Sequence, residues 1–266
     1  MWPNVKHSVS TAEGKRERKG RKIFVMMHSG QLTDLYVNCF KSARLRSPDS
    51  IIELFTDFPD DDRHKLRTYG ITFHDIRAGD FARKKTTLKI EPLKYLDLRY
   101  GDQVIISDLD VLFQADPFSV FNNDFDVFYT SRHYAYHYPI NAGIWGFRVN
   151  ESSQRFVAFY IQQLYTKSWS RLRKFKKRFN REPYGFDWFD DQDFLCVVYE
   201  NLDRLPKEIA DVRFYDAGCK YNYCPSFDIF GQFAIQDLKS KLGNSEYVVL
   251  HLKGELKQII DARDLP

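Results

Sequence analysis

The chain has 266 residues, of which 43% are hydrophobic and 16% aromatic, so it can bury a substantial core and is not a disordered polymer. Its formal net charge is +4, but two basic stretches, 15–22 and 167–181, carry more positive charge than that, so the remainder is acidic. This polarised distribution argues against a uniformly basic nucleic-acid binder, and no nucleic acid is expected as a partner.

The N-terminal residues 1–21 are polar and aperiodic, which predicts a flexible basic arm ahead of one folded domain at 22–266. No window holds the roughly 20 apolar residues needed to cross a bilayer, and no signal peptide is recognisable. The four cysteines are too few and too scattered for a disulfide scaffold. We therefore expect a cytoplasmic protein, with peripheral membrane contact left open.

Apolar runs bounded by turn residues predict the strands of the domain. In chain order they cover 23–27, 51–55, 71–76, a run that starts at 103 and ends at Asp108 and Asp110, 125–129, 144–147 and 247–250. Helices are predicted at 34–40, 84–98 (bent at Pro92), 151–164 (capped by Asn150) and 190–199. Strands that alternate with helices indicate an α/β fold with a mainly parallel central sheet flanked by helices.

Two carboxylates, Asp108 and Asp110, follow the most apolar of these strands. Ligands of open α/β sheets bind at the carboxyl ends of strands, and Mg²⁺ or Mn²⁺ prefers one or two carboxylates together with substrate phosphates. The pair alone also fits a solvated turn. Its interpretation therefore depends on the rest of the chain.

Three further segments carry polar groups suited to a site. Asn141-Ala142-Gly143 combines an amide with small residues that let the backbone approach a ligand. Asp191-Gln192 opens an apolar helix, where acids also serve as caps. His251 follows a predicted strand, with Gly254 and Lys257 at regular spacing behind it.

The order and spacing of these motifs resemble the GT-A glycosyltransferases, in particular the retaining nucleotide-sugar enzymes of family 8, and the middle of the chain is also similar to family 77. The motifs are Asp108-x-Asp110, Asp116-Pro117, Asn141-Ala142-Gly143, Asp191-Gln192 and His251-x-x-Gly254-x-x-Lys257. The resemblance implies a single Rossmann-like GT-A domain. The Pro-Trp pair that usually follows the last motif is absent, so we expect a different acceptor side.

The resemblance also implies roles for these residues. Asp108, Asp110 and His251 would hold Mn²⁺ or Mg²⁺ at the diphosphate of a UDP-sugar, and the imidazole favours Mn²⁺. The donor would further contact Asn141, Ala142, Gly143, Gly254, Lys257 and Lys89, with Lys84 and Lys85 as rivals of Lys89. Asp191, Gln192 and Lys257 would be catalytic, with Gln192 nearest the anomeric carbon. The nucleobase is expected near 24–28 and Asp57.

The expected reaction is transfer of a sugar from the nucleotide to a hydroxyl of a glycan, glycolipid or protein-linked acceptor, with retention as the family implies. A front-face route would use the leaving phosphate oxygen as base. A double displacement would need a carboxylate such as Asp191 or Asp193. The sequence does not choose between the two routes.

Two other functions fit part of the sequence. A nucleotidyltransferase acting on sugar phosphates has a similar sheet and also uses a divalent cation. It needs a glycine-rich loop after the first strand, however, and the loop His28 to Thr33 contains one glycine. A non-catalytic module could use the basic stretches on membrane or nucleic acid. Within 167–181, Leu172, Phe175 and Phe179 form an apolar stripe among cations, which suits either an anionic membrane surface, together with the N-terminal arm, or packing on the body.

Overall fold

The structure is a computed structural model that describes residues 20–76, 89–132, 139–166, 168–178, 190–225 and 232–252. The N-terminal arm predicted at 1–21 lies almost wholly outside these ranges. Within them, no helix combines the length and apolar character needed to cross a membrane.

Among the described residues, seven strands form one mixed sheet and two more form a small separate ladder. The large sheet contains β1 (Lys22–His28), β2 (Ile51–Thr56), β3 (Ile71–Asp75), β4 (Gln103–Ser107), β6 (Val127–Tyr129), β7 (Ile144–Arg148) and β8 (Phe214–Asp216), in the order β3-β2-β1-β4-β7-β6-β8. Strands β5 (Val111–Phe113) and β9 (Val249–His251) pair antiparallel as the ladder. In the large sheet only β7 runs against its neighbours, which confirms the mainly parallel sheet.

Helices cover both faces of this sheet. Within the described ranges they are α1 (Asp34–Arg46), α2 (Asp60–Leu66), α3 (Glu151–Thr166), α4 (Ser170–Arg178), α5 (Asp190–Tyr199) and α6 (Gln232–Lys241). Alternate residues of β4 enter two different apolar clusters: Ile106 lies with the aromatic residues of α3 and α5, and Ile105 lies with Phe40 of α1. A strand buried on both faces explains the unbroken Val/Ile run of β4.

Several local predictions hold in the structure. Asn150 caps α3 through its Oδ1, which accepts a hydrogen bond of 2.8 Å from the backbone N–H of Ser153. The helix predicted at 190–199 is present as α5. The first helix runs to Arg46 rather than to residue 40.

The strand predicted from residue 103 ends at the two acids as expected, because the chain leaves the large sheet after Ser107, and the residues from Val111 onward pair with β9 instead. One local prediction is wrong. The helix expected at 84–98 is, over its described part, only a 3-10 turn at Glu91–Lys94. Pro92 supplies no backbone N–H there, and Ile90 and Leu93 are fully buried instead of forming a helical stripe.

The basic helix α4 packs on the body of the protein. Leu172 and Phe175 are 1% and 2% exposed and belong to the cluster that contains Phe194 of α5. Trp169, just before the helix, stacks edge-on against the same phenylalanine. Leu172 and Phe175 are therefore core, and in this structure those two side chains are not presented to a membrane. Phe179 lies outside the described residues.

Replacing Phe175 with alanine should destabilise the fold, because a buried aromatic side chain leaves a cavity when it is truncated. We expect a loss of about 3–5 kcal/mol in the free energy of unfolding, measured by urea denaturation. Lys174→Ala, at an exposed position of the same helix, is the matched control and should change stability by less than about 0.5 kcal/mol. An unchanged urea midpoint for Phe175→Ala would mean that α4 is not part of the core.

Candidate active site

Backbone pairing brings three distant segments to one point at the carboxyl end of β4. The β4–β7 register places Ser107 opposite Ile144, and the N–H of Asp108 donates to the carbonyl of Gly143 at 2.8 Å. The β5–β9 register then places Val111 opposite His251, while the N–H of Leu252 donates to the carbonyl of Asp110 at 2.7 Å. The paired aspartates are therefore flanked by Gly143 on one side and by His251 on the other.

The side chains of Asp108, Asp110 and His251 converge on a common space. His251 Nε2 lies 3.1 Å from Asp110 Oδ1 and 3.7 Å from Asp108 Oδ2. One ligand atom from each residue lies within 4.8 Å of the others. The imidazole is completely buried, whereas the carboxylates of Asp108 and Asp110 keep 19% and 15% of their surface exposed. This set of two carboxylates and one imidazole, open on one side, suits a divalent cation that shares its remaining positions with a ligand.

Because Gly143 has no side chain, the imidazole of His251 can occupy the space next to it. A Cβ at this position would lie 2.1 Å from His251 Cε1, 2.3 Å from Nδ1 and 3.2 Å from Asp108 Oδ2. The first two distances are far below van der Waals contact. A residue with a side chain at position 143 would therefore displace His251, which gives this glycine a packing role beneath the cluster.

Lys89 joins this cluster to the start of α5. Its Nζ forms an ion pair with Asp108 Oδ1 and lies 3.1 Å from Asp191 Oδ2. Burial alone would lower the pKa of Lys89, but the charges of Asp108 and Asp191 outweigh burial and raise it. Burial raises the pKa of Asp191, and Lys89 opposes that shift. Because one ammonium group serves two carboxylates, Lys89 is held in its charged form.

The structure places the remaining predicted residues as follows. Asn141 is fully buried, with its amide nitrogen 3.2 Å from His251 Nδ1 and its Oδ1 accepting a hydrogen bond from the N–H of Gly143. Ala142 is 4% exposed. Gln192 is also 4% exposed, and its Oε1 lies 3.5 Å from Nη2 of Arg132, a residue that sequence reasoning did not single out. Contacts of Asn141 and Gln192 with a sugar stay predictions.

The expected nucleobase region, at the ends of β1 and β2, is built around Asp57. Its carboxylate accepts hydrogen bonds from Ser29 Oγ at 2.6 Å and from the N–H of Gly30 at 3.0 Å. Burial alone would raise the pKa of Asp57, but these two hydrogen bonds lower it below its usual value. The ring of His28 packs against Tyr36 with centroids 4.3 Å apart. Phe24 is fully buried and belongs to the core.

Part of the predicted site lies outside the described residues. This applies to Lys84, Lys85, Gly254 and Lys257, so their roles remain predictions from the sequence.

Asn222 and Thr130 are site residues that the sequence analysis missed. Asn222 is 2% exposed, and its Oδ1 lies 2.9 Å from His251 Nδ1. Thr130 is fully buried, and its hydroxyl accepts a hydrogen bond of 2.8 Å from Asn222 Nδ2. Neither residue stands in one of the recognised motifs, and Asn222 follows a short 3-10 turn, so nothing in the sequence pattern marked them.

Comparisons with known proteins agree with this geometry. Residues 86–195 match the family model described as nucleotide-diphospho-sugar transferase. A structure of the galactosyltransferase LgtC in complex with donor and acceptor sugar analogues superposes with a TM-score of 0.53 at 15% identity, covering 88% of this chain and 87% of that one. Mouse xyloside xylosyltransferase 1 gives a TM-score of 0.51 at 11% identity, covering 91% and 100%.

A third similar structure is the glycosyltransferase GlyE of Streptococcus pneumoniae, with a TM-score of 0.50, 15% identity and coverage of 90% of this chain and 55% of that one. Among curated proteins, no sequence matches this chain. These structures confirm the predicted GT-A fold, and residues 86–195 match the nucleotide-diphospho-sugar transferase family.

Gly143→Ala should damage the site by pushing the imidazole of His251 away from the aspartates. We expect a loss of about 1–3 kcal/mol in the free energy of unfolding, together with shifted side-chain NMR signals of His251. Gly146→Ala is the matched control: its Cβ would lie 2.1 Å from the carbonyl oxygen of Val104, so it strains the sheet without contacting His251. If His251 signals moved equally in both variants, Gly143 would have no specific role beneath the imidazole.

Proposed function

We propose that this protein is a metal-dependent, retaining glycosyltransferase that transfers a sugar from a UDP-sugar to a hydroxyl of a glycan, glycolipid or protein-linked acceptor. The observation that carries the proposal is the convergence of Asp108, Asp110 and His251 beside the Lys89–Asp191 ion pair. The proposed cation position and the carboxylate of Asp191, paired with Lys89, would thus lie next to each other at the carboxyl end of the sheet, where ligands of such folds bind.

The charges of the cluster fit a divalent cation. Asp108, Asp110 and Asp191 contribute three negative charges and Lys89 one positive charge, which leaves a formal charge of −2 among the described residues of the cluster. Lys89 occupies Oδ1 of Asp108, so Oδ2 remains directed toward His251. A mixed set of oxygen and nitrogen ligands favours Mn²⁺ over Mg²⁺.

When bound, the cation would neutralise charge that builds up on the departing diphosphate. Lys257 would add a second positive charge at the same oxygen atoms, and Gly254 would let the backbone approach the phosphates. Ala142 and Gly143 would contact the donor through the backbone, while the absence of a side chain at 143 leaves room for the His251 ring. Asn141 would help to position Gly143 at the donor side of the cluster, because its Oδ1 accepts a hydrogen bond from the N–H of Gly143.

Asp191 and Gln192 would orient the sugar, with Gln192 nearest the anomeric carbon. Asp191 is held by Lys89, and Asp193 is fully buried. Neither carboxylate is therefore an exposed nucleophile, which supports the front-face route. In that route the leaving phosphate oxygen accepts the proton of the acceptor hydroxyl, and departure and attack occur on the same face of the sugar.

Asp110→Asn should reduce turnover to background while the protein stays folded, because it removes a negatively charged ligand without a change in side-chain size. The assay is release of free UDP from UDP-sugars in the presence of Mn²⁺, repeated after chelation with EDTA, which should also stop turnover. Asp203→Asn, at an exposed acid of the surface, is the control and should keep full activity. Undiminished UDP release by Asp110→Asn would refute the metal assignment.

Thermal unfolding with a panel of nucleotide sugars should identify the donor independently of turnover. A ligand that binds only the native state stabilises it, by about 2.7 kcal/mol at 100 times its Kd. We expect the melting temperature to rise with a UDP-sugar and Mn²⁺ together, and the rise to be lost in Asp110→Asn. Stabilisation by other nucleotides but by no UDP-sugar would contradict the proposed donor.

A further inference from the structure

The buried edge of the His251 ring faces two asparagines, and this arrangement bears on the metal chemistry of the proposed function, on which the following inference rests. Nδ1 of His251 lies 2.9 Å from Oδ1 of Asn222 and 3.2 Å from Nδ2 of Asn141. An oxygen acceptor requires a proton on Nδ1, whereas an amide donor requires a lone pair there. The two asparagines therefore favour opposite tautomers of the imidazole.

The amide of Asn222 is fixed in orientation by its other contacts. Its Nδ2 donates to the backbone carbonyl of Asn141 at 2.9 Å and to the hydroxyl of Thr130 at 2.8 Å. A backbone carbonyl can only accept, so the nitrogen of Asn222 must point toward it. Asn222 can then direct only its Oδ1 atom at His251. This oxygen is an acceptor, so the hydrogen bond requires a proton on Nδ1.

The opposing contact of Asn141 is weaker in geometry. Its Nδ2 lies 3.2 Å from Nδ1, and its orientation depends on a 3.2 Å hydrogen bond that its Oδ1 accepts from the N–H of Gly143. The contacts of Asn222 are all 2.9 Å or shorter. Asn222 makes the shorter contact with Nδ1, and two further hydrogen bonds fix the orientation of its amide. The proton is therefore on Nδ1, which donates to Asn222 Oδ1.

We infer that Asn222 is the positioning residue that holds the proton of His251 on Nδ1 and thereby presents the lone pair of Nε2 to a cation between Asp108 and Asp110. A metal-bound histidine generally donates its other ring N–H to such a partner, which fixes the ring and its tautomer. The opposite nitrogen, Nε2, is the one that faces both aspartates.

Backbone pairing holds Asn222 and His251 in register with each other. The N–H of Tyr223 donates to the carbonyl of Val249 at 2.8 Å, and the N–H of His251 donates to the carbonyl of Tyr223 at 2.7 Å. The acceptor oxygen thus sits on a segment that is hydrogen-bonded to β9 itself. Motion of β9 would carry both partners together and leave the contact between the ring and Asn222 intact.

The test is the affinity of the protein for Mn²⁺ alone, measured by the EPR signal of free Mn²⁺ during a titration. Asn222→Leu removes the acceptor and should weaken binding about 10- to 100-fold. Asn222→Asp keeps an oxygen that can accept from Nδ1 and should retain the native affinity. Both variants lose the amide donor to the carbonyl of Asn141, so a purely structural role predicts equal losses in the two.

Asn123→Leu removes a side-chain amide at the opposite end of β6 from Thr130 and should bind Mn²⁺ like the native protein. Circular dichroism checks the fold of each variant, and Asn222→Ala replaces Asn222→Leu if the larger side chain prevents folding. Native affinity in Asn222→Leu, or equal losses in Asn222→Leu and Asn222→Asp, would overturn the role of Asn222.

The Asp110→Asn variant separates this inference from the proposed function. If it loses Mn²⁺ while Asn222→Leu binds normally, the metal site stands and only the role of Asn222 is wrong. If Asp110→Asn binds Mn²⁺ as tightly as the native protein, the metal assignment itself is wrong, and the role of Asn222 is overturned with it.

Discussion

The site depends on one backbone constraint, the pairing of β9 with β5 outside the main sheet. The hydrogen bond from the N–H of Leu252 to the carbonyl of Asp110 fixes the position of His251 along the strand relative to the aspartates. A slip of one residue in this ladder would turn the imidazole to the opposite face, because side chains alternate along a strand. The proposed ligands come from two distant parts of the chain, Asp108 with Asp110 and His251, and the register of a short strand pair decides whether they meet.

The same constraint explains why the chain leaves the large sheet after Ser107. A strand that continued through Asp110 would direct Asp108 and Asp110 to the same face of one sheet, inside the core on one side or the other. By ending β4 at Ser107 and starting β5 at Val111, the chain puts both carboxylates at the sheet end, where they remain partly exposed. Gly143, accepting the N–H of Asp108 through its carbonyl, keeps this turn close to β7.

Sequence patterns foretold the sheet and the residues of the cluster because both leave strong local signals. The Val/Ile run of β4 and the acids after it can be read directly, as can the cap of α3 at Asn150. The 3-10 turn at Glu91–Lys94 was missed because leucine spacing outweighed the missing donor of Pro92. A strand at 247–250 was predicted, and β9 is present at Val249–His251. Its antiparallel pairing with β5 was not predicted, because tertiary contacts decide which short strands pair.

Asn222 and Thr130 show a second kind of limit, because their importance lies in hydrogen bonds rather than in residue pattern. Thr130, Asn141, Asn222 and His251 are each at most 2% exposed, and each polar group must find a partner in a medium of low polarity. Either tautomer of the ring leaves one of the two asparagines unmatched at Nδ1, and the shorter contact, that of Asn222, favours the proton on Nδ1. A buried hydrogen-bond network lies on one side of the imidazole and a partly exposed pair of carboxylates on the other. A cation site shared with a substrate requires this asymmetry.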